Sequence, residues 1–152
     1  MLLTELLTPE RIKIPLRATT KDELLRELVE LVARPGDEAD AADILRAVRE
    51  REAVLSTGIG HAVAIPHGKS GALPELRLAA GRTSRPVDFD ALDGAPVELL
   101  FLLVGPESAA GPHIKALSRI SRIVRRDSVR ERLTSAATPA EFYHALQEAE
   151  AA

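Results

Sequence analysis

The stretch Val97-Glu98-Leu99-Leu100-Phe101-Leu102-Leu103-Val104 is apolar at every position except Glu98. A strand with one solvated face alternates apolar and polar residues, whereas a strand covered on both faces is apolar almost throughout. We therefore expect residues 97–104 to form the central strand of a sheet, with helices packed against both of its faces.

Shorter extended segments are expected elsewhere in the chain. Residues 12–16 alternate apolar side chains with a lysine and a proline, which is typical of a short edge strand. Residues 54–56, 62–65 and 76–83 are further short runs that we interpret as strands. Together with the central strand, these segments predict a mixed sheet of about five strands.

Amphipathic helical patterns lie between the strands. The capping box Thr20-x-x-Glu23 predicts the start of one helix, and the pair Pro35-Gly36 is expected to end it. Further helices are predicted over residues 41–52, from Pro112 onward, over 128–136 and over 139–149. Helices interleaved with strands favour a three-layer α/β/α sandwich. Because there is no internal repeat and no linker, we expect residues 1–152 to form a single domain.

Composition excludes several classes of protein. Hydrophobic residues make up 45% of the chain and charged residues 28%, which is typical of a soluble globular protein. The net charge of −3 argues against a general nucleic-acid binder, and the arginines at 119, 122, 125 and 126 are explained by the solvated face of a helix. No apolar run approaches the roughly 20 residues of a membrane span. The absence of cysteine excludes thiol chemistry and suits the cytoplasm.

The most informative motif runs from Arg51 to Gly68 and reads REAVLSTGIGHAVAIPHG. A Ser-Thr-Gly-x-Gly turn precedes the apolar run 62–65, which stops at Pro66. Proline restricts its own φ and the preceding residue, while Gly68 frees the chain on the other side. His67 is therefore presented in one direction at a strand end, although an ordinary loop histidine is the alternative interpretation.

The same residues resemble the active-site signature of bacterial phosphotransferase-system enzyme IIA domains of the fructose/mannitol/nitrogen-regulatory type. That signature asks for an acidic or amide residue at Glu52, an aliphatic and a small residue at 59–60, and aliphatic-Ala-aliphatic-Pro-His-Gly at 63–68. The run 56–60 and the later FDALDGxPV at 89–97 are most similar to the nitrogen-regulatory branch. Ala62 departs from that branch, which commonly has glycine there, and the change costs backbone freedom.

The resemblance implies a phosphocarrier function for the chain. His67 would be phosphorylated on Nε2 by the phosphohistidine protein HPr. It would then pass the phosphoryl group to a cysteine of an enzyme IIB partner, or use its phosphorylation state for regulation. The alternative that we keep is a non-catalytic regulatory module that binds target proteins. The family implies no cofactor, and the second nitrogen of the imidazole needs an acceptor to fix the tautomer.

Arg51 and His113 are the candidate partners of His67. Arg51 follows Ile44 by seven positions and so falls on the buried stripe of its helix, where it needs either an anion or a route to water. It is either a guanidinium that grips phosphate or a snorkelling arginine at a helix end. His113 opens the helix after the central strand, and a satisfied core histidine is its alternative interpretation.

Ligands of open α/β sheets collect at the carboxyl ends of strands. If strands 62–65 and 97–104 are parallel, the imidazoles of His67 and His113 reach one crevice. The resemblance also places a histidine at the matching helix start. Ser56 and Thr57 are candidates for additional hydroxyl or amide donors to phosphate.

Other classes of site fit less well. The four histidines form no HExxH pattern or other close-spaced ligand pair, so no metal site is predicted. Gly58-x-Gly60-x-x-Val63 precedes a strand rather than opening a helix, and therefore fails as a dinucleotide motif. No Walker-type loop is present. His61 and His144 are expected to face solvent.

Overall fold

A computed structural model of the chain describes residues 1–33 and 38–151. The strands are β1 (Ile12–Leu16), β2 (Gly58–Gly60), β3 (Val63–Ala64), β4 (His67–Lys69), β5 (Arg77–Val87) and β6 (Val97–Gly105). The α-helices are α1 (Leu3–Leu6), α2 (Lys21–Val32), α3 (Glu38–Val54), α4 (Ala110–Val124), α5 (Asp127–Ser135) and α6 (Pro139–Ala151). Short 3-10 turns precede β1 (Pro9–Arg11) and α4 (Glu107–Ala109). No helix in these ranges is long and apolar enough to cross a membrane.

The sheet is mixed, with the strand order β1-β5-β6-β3-β2. β1 is parallel to β5 and β3 is parallel to β6, whereas the pairs β5–β6 and β2–β3 are antiparallel. β4 also pairs with β6 in parallel, beyond the end of β3. β3 and β4 are thus two parts of one extended segment, separated by Ile65 and Pro66. The sheet of about five strand positions is as predicted.

β6 is the central strand, and its side chains divide the interior into two halves. Alternate residues of β6 enter different apolar clusters. Phe101 lies in the cluster formed with α4, α5 and α6, whereas Leu100 and Leu102 lie in the cluster formed with α2 and α3. All three side chains are buried. The continuous apolar pattern arises because helices cover both faces of the strand, and the three-layer arrangement is confirmed.

Two strand predictions differ from the structure. No strand forms over 54–56, because α3 continues through Val54 and the next strand begins at Gly58. Val54 is 80% exposed, so its β-branched, apolar side chain marks no buried strand. β5 also extends beyond the predicted 76–83 and ends at Val87.

Helix limits differ from the predictions by a few residues. α3 starts at Glu38 rather than at residue 41, and α2 already ends at Val32. The predicted stop at Pro35-Gly36 lies outside the described residues. α4 begins at Ala110, which makes Pro112 its third residue. A proline is tolerated there because the N–H groups of the first turn have no partner within the helix.

The turn between β2 and β3 is the most constrained part of the backbone near the motif. Gly60, His61 and Ala62 have φ values of 91°, 56° and 62°. A left-handed conformation costs an L-residue roughly 1–2 kcal/mol, whereas glycine adopts it freely. The departure at Ala62 therefore falls on a position that favours glycine.

Candidate functional site

His67 is the first residue of β4 and lies beside Leu103 of β6. The sequence predicts a position at the end of a strand, whereas the structure places His67 within a strand that pairs with the central strand. Its Nδ1 atom is 2.9 Å from the carbonyl oxygen of Ile65. Because a carbonyl can only accept, Nδ1 carries the proton, and Nε2 keeps its lone pair.

His113 meets His67 from the opposite side of the crevice. It is the fourth residue of α4, it is 3% exposed, and the two ring centroids are 5.8 Å apart at an interplanar angle of 63°. This juxtaposition follows from the parallel pairing of β3 and β4 with β6, since α4 begins shortly after the end of β6. Nδ1 of His113 is buried without a hydrogen-bond partner within residues 1–33 and 38–151.

The two imidazoles border an open cavity of about 510 Å³. Its lining consists of basic, acidic and apolar side chains and one glycine: Ala47, Glu50, Arg51, His67, Gly68, Lys69, His113, Ile114 and Leu117. The single carboxylate, Glu50, is already bonded to Arg46 at 3.0 Å. The cavity thus combines two histidines with two cations, and Ile114, which is 66% exposed, forms an apolar rim.

Arg51 lies at the end of α3, on the border of the cavity. It lines the cavity with the histidines, and its Nη1 donates to the carbonyl oxygen of Leu55 at 2.8 Å. This bond satisfies a carbonyl just after the last residue of α3, and it uses one of the five N–H donors of the guanidinium. Its other N–H groups have no hydrogen bond to the described part of the chain in the contacts seen here, so an anion-binding role stays a prediction.

Ser56 and Thr57 do not line this cavity. The Ser56 hydroxyl donates to the carbonyl oxygen of Phe89 at 3.3 Å and accepts from the Gly58 N–H at 3.1 Å. The Thr57 hydroxyl donates to Glu52 at 2.6 Å, and Thr57 is 4% exposed. Both hydroxyls therefore hold the turn together rather than reach a ligand in the cavity.

Lys69 is a lining residue that the sequence analysis missed. It follows His67 by two positions on β4, so both side chains project from the same face of the strand. The alternation of a strand could have revealed it, had residues 67–69 been interpreted as extended. The tautomer-fixing acceptor is the Ile65 backbone carbonyl, for which no residue type gives a signal. His61 and His144 are exposed, as expected.

Both crevice histidines favour the neutral form. Burial lowers the pKa of His67, and the charges of Arg51 and Lys69 lower it further, against the opposing Ile65 hydrogen bond and Glu52 charge. Burial also lowers the pKa of His113, to about 4, with His67 and Lys69 acting in the same direction. Both shifts favour neutral rings at pH 7, so His113 offers a hydrogen bond rather than a positive charge.

The described residues contain no group of three or more His, Cys, Asp or Glu side chains that could hold a metal ion. The crevice brings together side chains that can interact with an oxyanion. Arg51 and Lys69 supply charge, His113 supplies a ring nitrogen, and Nε2 of His67 supplies a lone pair.

Known proteins are similar to this chain over most of its length. Residues 5–149 match the family model described as phosphoenolpyruvate-dependent sugar phosphotransferase system, EIIA 2. A nitrogen regulatory protein of Pseudomonas aeruginosa is 40% identical over 141 residues, which cover 93% of this chain and 92% of that protein. The fructose-specific EIIABC component of Bacillus subtilis is 36% identical over 136 residues, which cover 90% of this chain but 21% of that protein.

Solved structures show the same architecture. The nitrogen regulatory protein IIA-Ntr from Neisseria meningitidis superimposes with a TM-score of 0.87 at 35% identity, covering 95% of this chain and 98% of that one. The mannitol enzyme IIA of Escherichia coli, in complex with phosphorylated enzyme IIB, gives 0.74 at 20% identity, covering 93% and 97%, and shows the shared fold. The chain therefore belongs to the EIIA 2 family of the phosphotransferase system and is a phosphocarrier component of that system.

Proposed function

We propose that this phosphocarrier accepts a phosphoryl group from phosphorylated HPr on Nε2 of His67. The observation that carries the proposal is the 2.9 Å contact between Nδ1 of His67 and the Ile65 carbonyl, which leaves the lone pair on Nε2 of a ring that lines the cavity. The pKa of the imidazole, lowered chiefly by burial, keeps that lone pair available at neutral pH.

The transfer needs no cofactor. The Nε2 lone pair of His67 attacks the phosphorus atom of the phosphohistidine on HPr. As the new N–P bond forms, the N–P bond in HPr breaks, and the nitrogen of HPr takes the electron pair. Nδ1 of His67 keeps its proton throughout and stays bonded to Ile65. Passage to the cysteine thiolate of an enzyme IIB partner is the same exchange, with sulfur as the nucleophile.

Arg51, Lys69 and His113 stabilise the phosphoryl oxygens. Phosphoryl transfer asks a protein mainly for alignment and charge stabilisation. The free N–H groups of Arg51 can bind oxygens in a fork, and the ammonium of Lys69 adds charge without fixed direction. His113 donates one hydrogen bond from its ring. The Ile114 rim offers an apolar contact for a partner protein.

Phosphate transfer from phosphorylated HPr tests this proposal directly. The wild-type protein should become labelled on a histidine, whereas His67→Ala should not. A His144→Ala variant is the matched control, because that exposed histidine lies on α6, away from the lining of the cavity. Equal labelling of His67→Ala and wild type would contradict the assignment.

A regulatory role is the second candidate for the onward step. Two relatives named nitrogen regulatory protein align over almost their full length: 92% of the one from Pseudomonas aeruginosa and 95% of one from Bradyrhizobium diazoefficiens are covered. We propose that such a protein acts in the cytoplasm, where its phosphorylation state decides which targets it binds. Loss of label on mixing with an enzyme IIB would favour transport. Retained label with a change in target binding would favour regulation.

A further inference from the structure

We infer that Glu52 is a positioning residue for the His67 imidazole. Its buried carboxylate binds Thr57, and Thr57 in turn binds Ile65, the residue between β3 and β4 whose carbonyl fixes the tautomer. The inference rests on the proposed phosphoryl transfer at His67. It adds a residue on which that transfer depends although the residue lies outside the lining of the cavity.

The Glu52 carboxylate is surrounded by donors. Glu52 is 6% exposed, and a buried carboxylate is costly unless donors satisfy its oxygens. Oε1 accepts from the Thr57 N–H at 3.0 Å and contacts the Lys21 ammonium at 2.9 Å. Oε2 accepts from the Thr57 hydroxyl at 2.6 Å. Two of the three donors thus belong to one residue, so Glu52 fixes the position and orientation of Thr57.

Thr57 connects the Glu52 carboxylate to His67 through Ile65. Its carbonyl oxygen accepts from the N–H of Ile65 at 3.0 Å, and the Ile65 carbonyl accepts from Nδ1 of His67 at 2.9 Å. Thr57 and Ile65 are 4% and 3% exposed. Water therefore has little access to replace a lost bond. An unbroken series of hydrogen bonds joins the carboxylate to the imidazole.

Lys21 completes the arrangement from a different helix. Its ammonium pairs with Glu52 and lies 4.8 Å from the centroid of the Phe89 ring. The first turn of α2 is thereby tied to the end of α3. Partners of this kind, one step removed from the reacting group, orient an imidazole and set its tautomer, as carboxylates do for metal-bound histidines.

If Glu52 only stabilised the fold, its loss would not change the tautomer of His67. Glu150 is a matched control, because it is a second carboxylate with similar hydrogen-bond donors. Glu150 on α6 accepts from the backbone N–H of Leu3 at 2.7 Å, from the N–H and hydroxyl of Thr4 at 3.0 Å each, and from Arg119 at 2.8 Å. The two carboxylates thus share a donor set of a threonine N–H, a threonine hydroxyl and a basic side chain. Glu150, however, lines a different cavity.

The test compares Glu52→Ala with Glu150→Ala in the full chain. Histidine ¹⁵N NMR spectra report which nitrogen of His67 carries the proton. We expect Glu52→Ala to give a mixture of tautomers and to slow transfer from phosphorylated HPr by about 10- to 100-fold. Glu150→Ala should keep the wild-type tautomer and rate, even where both variants lose similar stability. An unchanged tautomer in a folded Glu52→Ala protein would overturn the inference.

Glu52→Gln is the conservative variant. It keeps the size of the side chain and an oxygen that accepts from Thr57, so we expect it to retain the wild-type tautomer. The spectra need no phosphoryl donor, which separates this inference from the proposed function. If the wild type acquired no phosphate on His67, the function would fail while the spectra still tested Glu52. If transfer ran normally and the Glu52→Ala tautomer were unchanged, the inference alone would fail.

Discussion

The imidazoles of His67 and His113 lie edge to face in one crevice, with ring centroids 5.8 Å apart, although the residues are on different elements. Two positively charged rings at this distance would repel each other, and two neutral rings can share one hydrogen-bonded ligand. The surroundings favour the neutral pair, because burial lowers the pKa of both. A dianionic phosphoryl group between them would reverse this preference by attracting a proton to His113.

His113 should therefore stay neutral well below physiological pH. We expect its imidazole to titrate near its pKa of about 4 in the unphosphorylated protein. An NMR titration of the histidine ring signals measures this value, with the signals assigned by His113→Gln. After phosphorylation the pKa should rise, because the phosphoryl charge stabilises the imidazolium. A ring that is already protonated at pH 6 in the free protein would contradict the expectation.

The same shift makes folding stability depend on pH. The folded-state pKa of His113 lies below the ordinary value of 6.5. Between about pH 6.5 and 4 the unfolded chain binds a proton that the folded protein excludes, so the free energy of unfolding falls as pH decreases. The lowered pKa of His67 acts in the same direction.

Urea denaturation across this pH range measures the effect. His113→Gln should show a shallower fall in unfolding free energy than the wild type, since it lacks the titrating ring. Above about pH 6.5 both rings are neutral in both states, and their contribution should be constant. Parallel curves for variant and wild type would mean that the pKa of His113 is the same in the folded and unfolded states.

Replacement of His113 should slow transfer without removing the acceptor. His113→Ala loses one donor to the phosphoryl oxygens, while the tautomer-fixing bond of His67 does not involve it. We expect label on His67 at a reduced rate, measured by rapid mixing with phosphorylated HPr. His113→Gln keeps a donor and more of the side-chain volume, and should lie between. An unchanged rate in both variants would remove His113 from the mechanism.

Arg51→Lys separates charge from geometry. Lysine keeps the positive charge but loses both the fork of donors and the bond to the Leu55 carbonyl. We expect the transfer rate to fall about 10-fold, less than the roughly 10²–10³-fold typical of removing a charge-stabilising donor altogether. Arg49→Lys on the same helix is the control, since Arg49 is tied to Asp22 and does not line the cavity. Wild-type kinetics for Arg51→Lys would mean that the guanidinium of Arg51 stabilises the end of α3 and does not bind the phosphoryl oxygens.

Much of this arrangement could be predicted from residue patterns. β6 is apolar on both faces because helices cover both faces, and that pattern alone indicates the layers. The proximity of His67 and His113 follows from where they stand relative to two parallel strands. Both features can be predicted because the first depends on the spacing of apolar residues and the second on the order of strands and helices along the chain.

The missed features depend on backbone groups and on competition between partners. The Ile65 carbonyl has no residue-type signal, since any residue could supply it. Ser56 and Thr57 have hydroxyls suited to phosphate, but these hydroxyls donate their hydrogen bonds to the Phe89 carbonyl and the Glu52 carboxylate instead. The sequence gives no measure of that competition. Val54 is apolar and β-branched, which favours a strand, but it lies at an exposed helix end. Burial depends on neighbours distant in the chain, and the local pattern does not reveal them.

The close packing of β4 against α3 gives a final prediction, on Gly68. A Cβ atom at this position would lie 3.1 Å from the backbone carbon of Ala47 and the backbone nitrogen of Val48. These are main-chain atoms of a helix, so they cannot turn aside as a flexible side chain can. Gly68→Ala should therefore push β4 from α3 and destabilise the protein by about 1–3 kcal/mol. Because His67 precedes Gly68, transfer should slow as well.

Gly71→Ala is the matched control for this prediction. A Cβ atom at Gly71 would meet nothing within 4 Å, and stability should stay the same or rise by less than about 1 kcal/mol. Thermal unfolding of both variants, together with their transfer rates at a temperature where both are folded, provides the comparison. If Gly68→Ala matched Gly71→Ala in both measurements, the contact between β4 and α3 would not constrain His67.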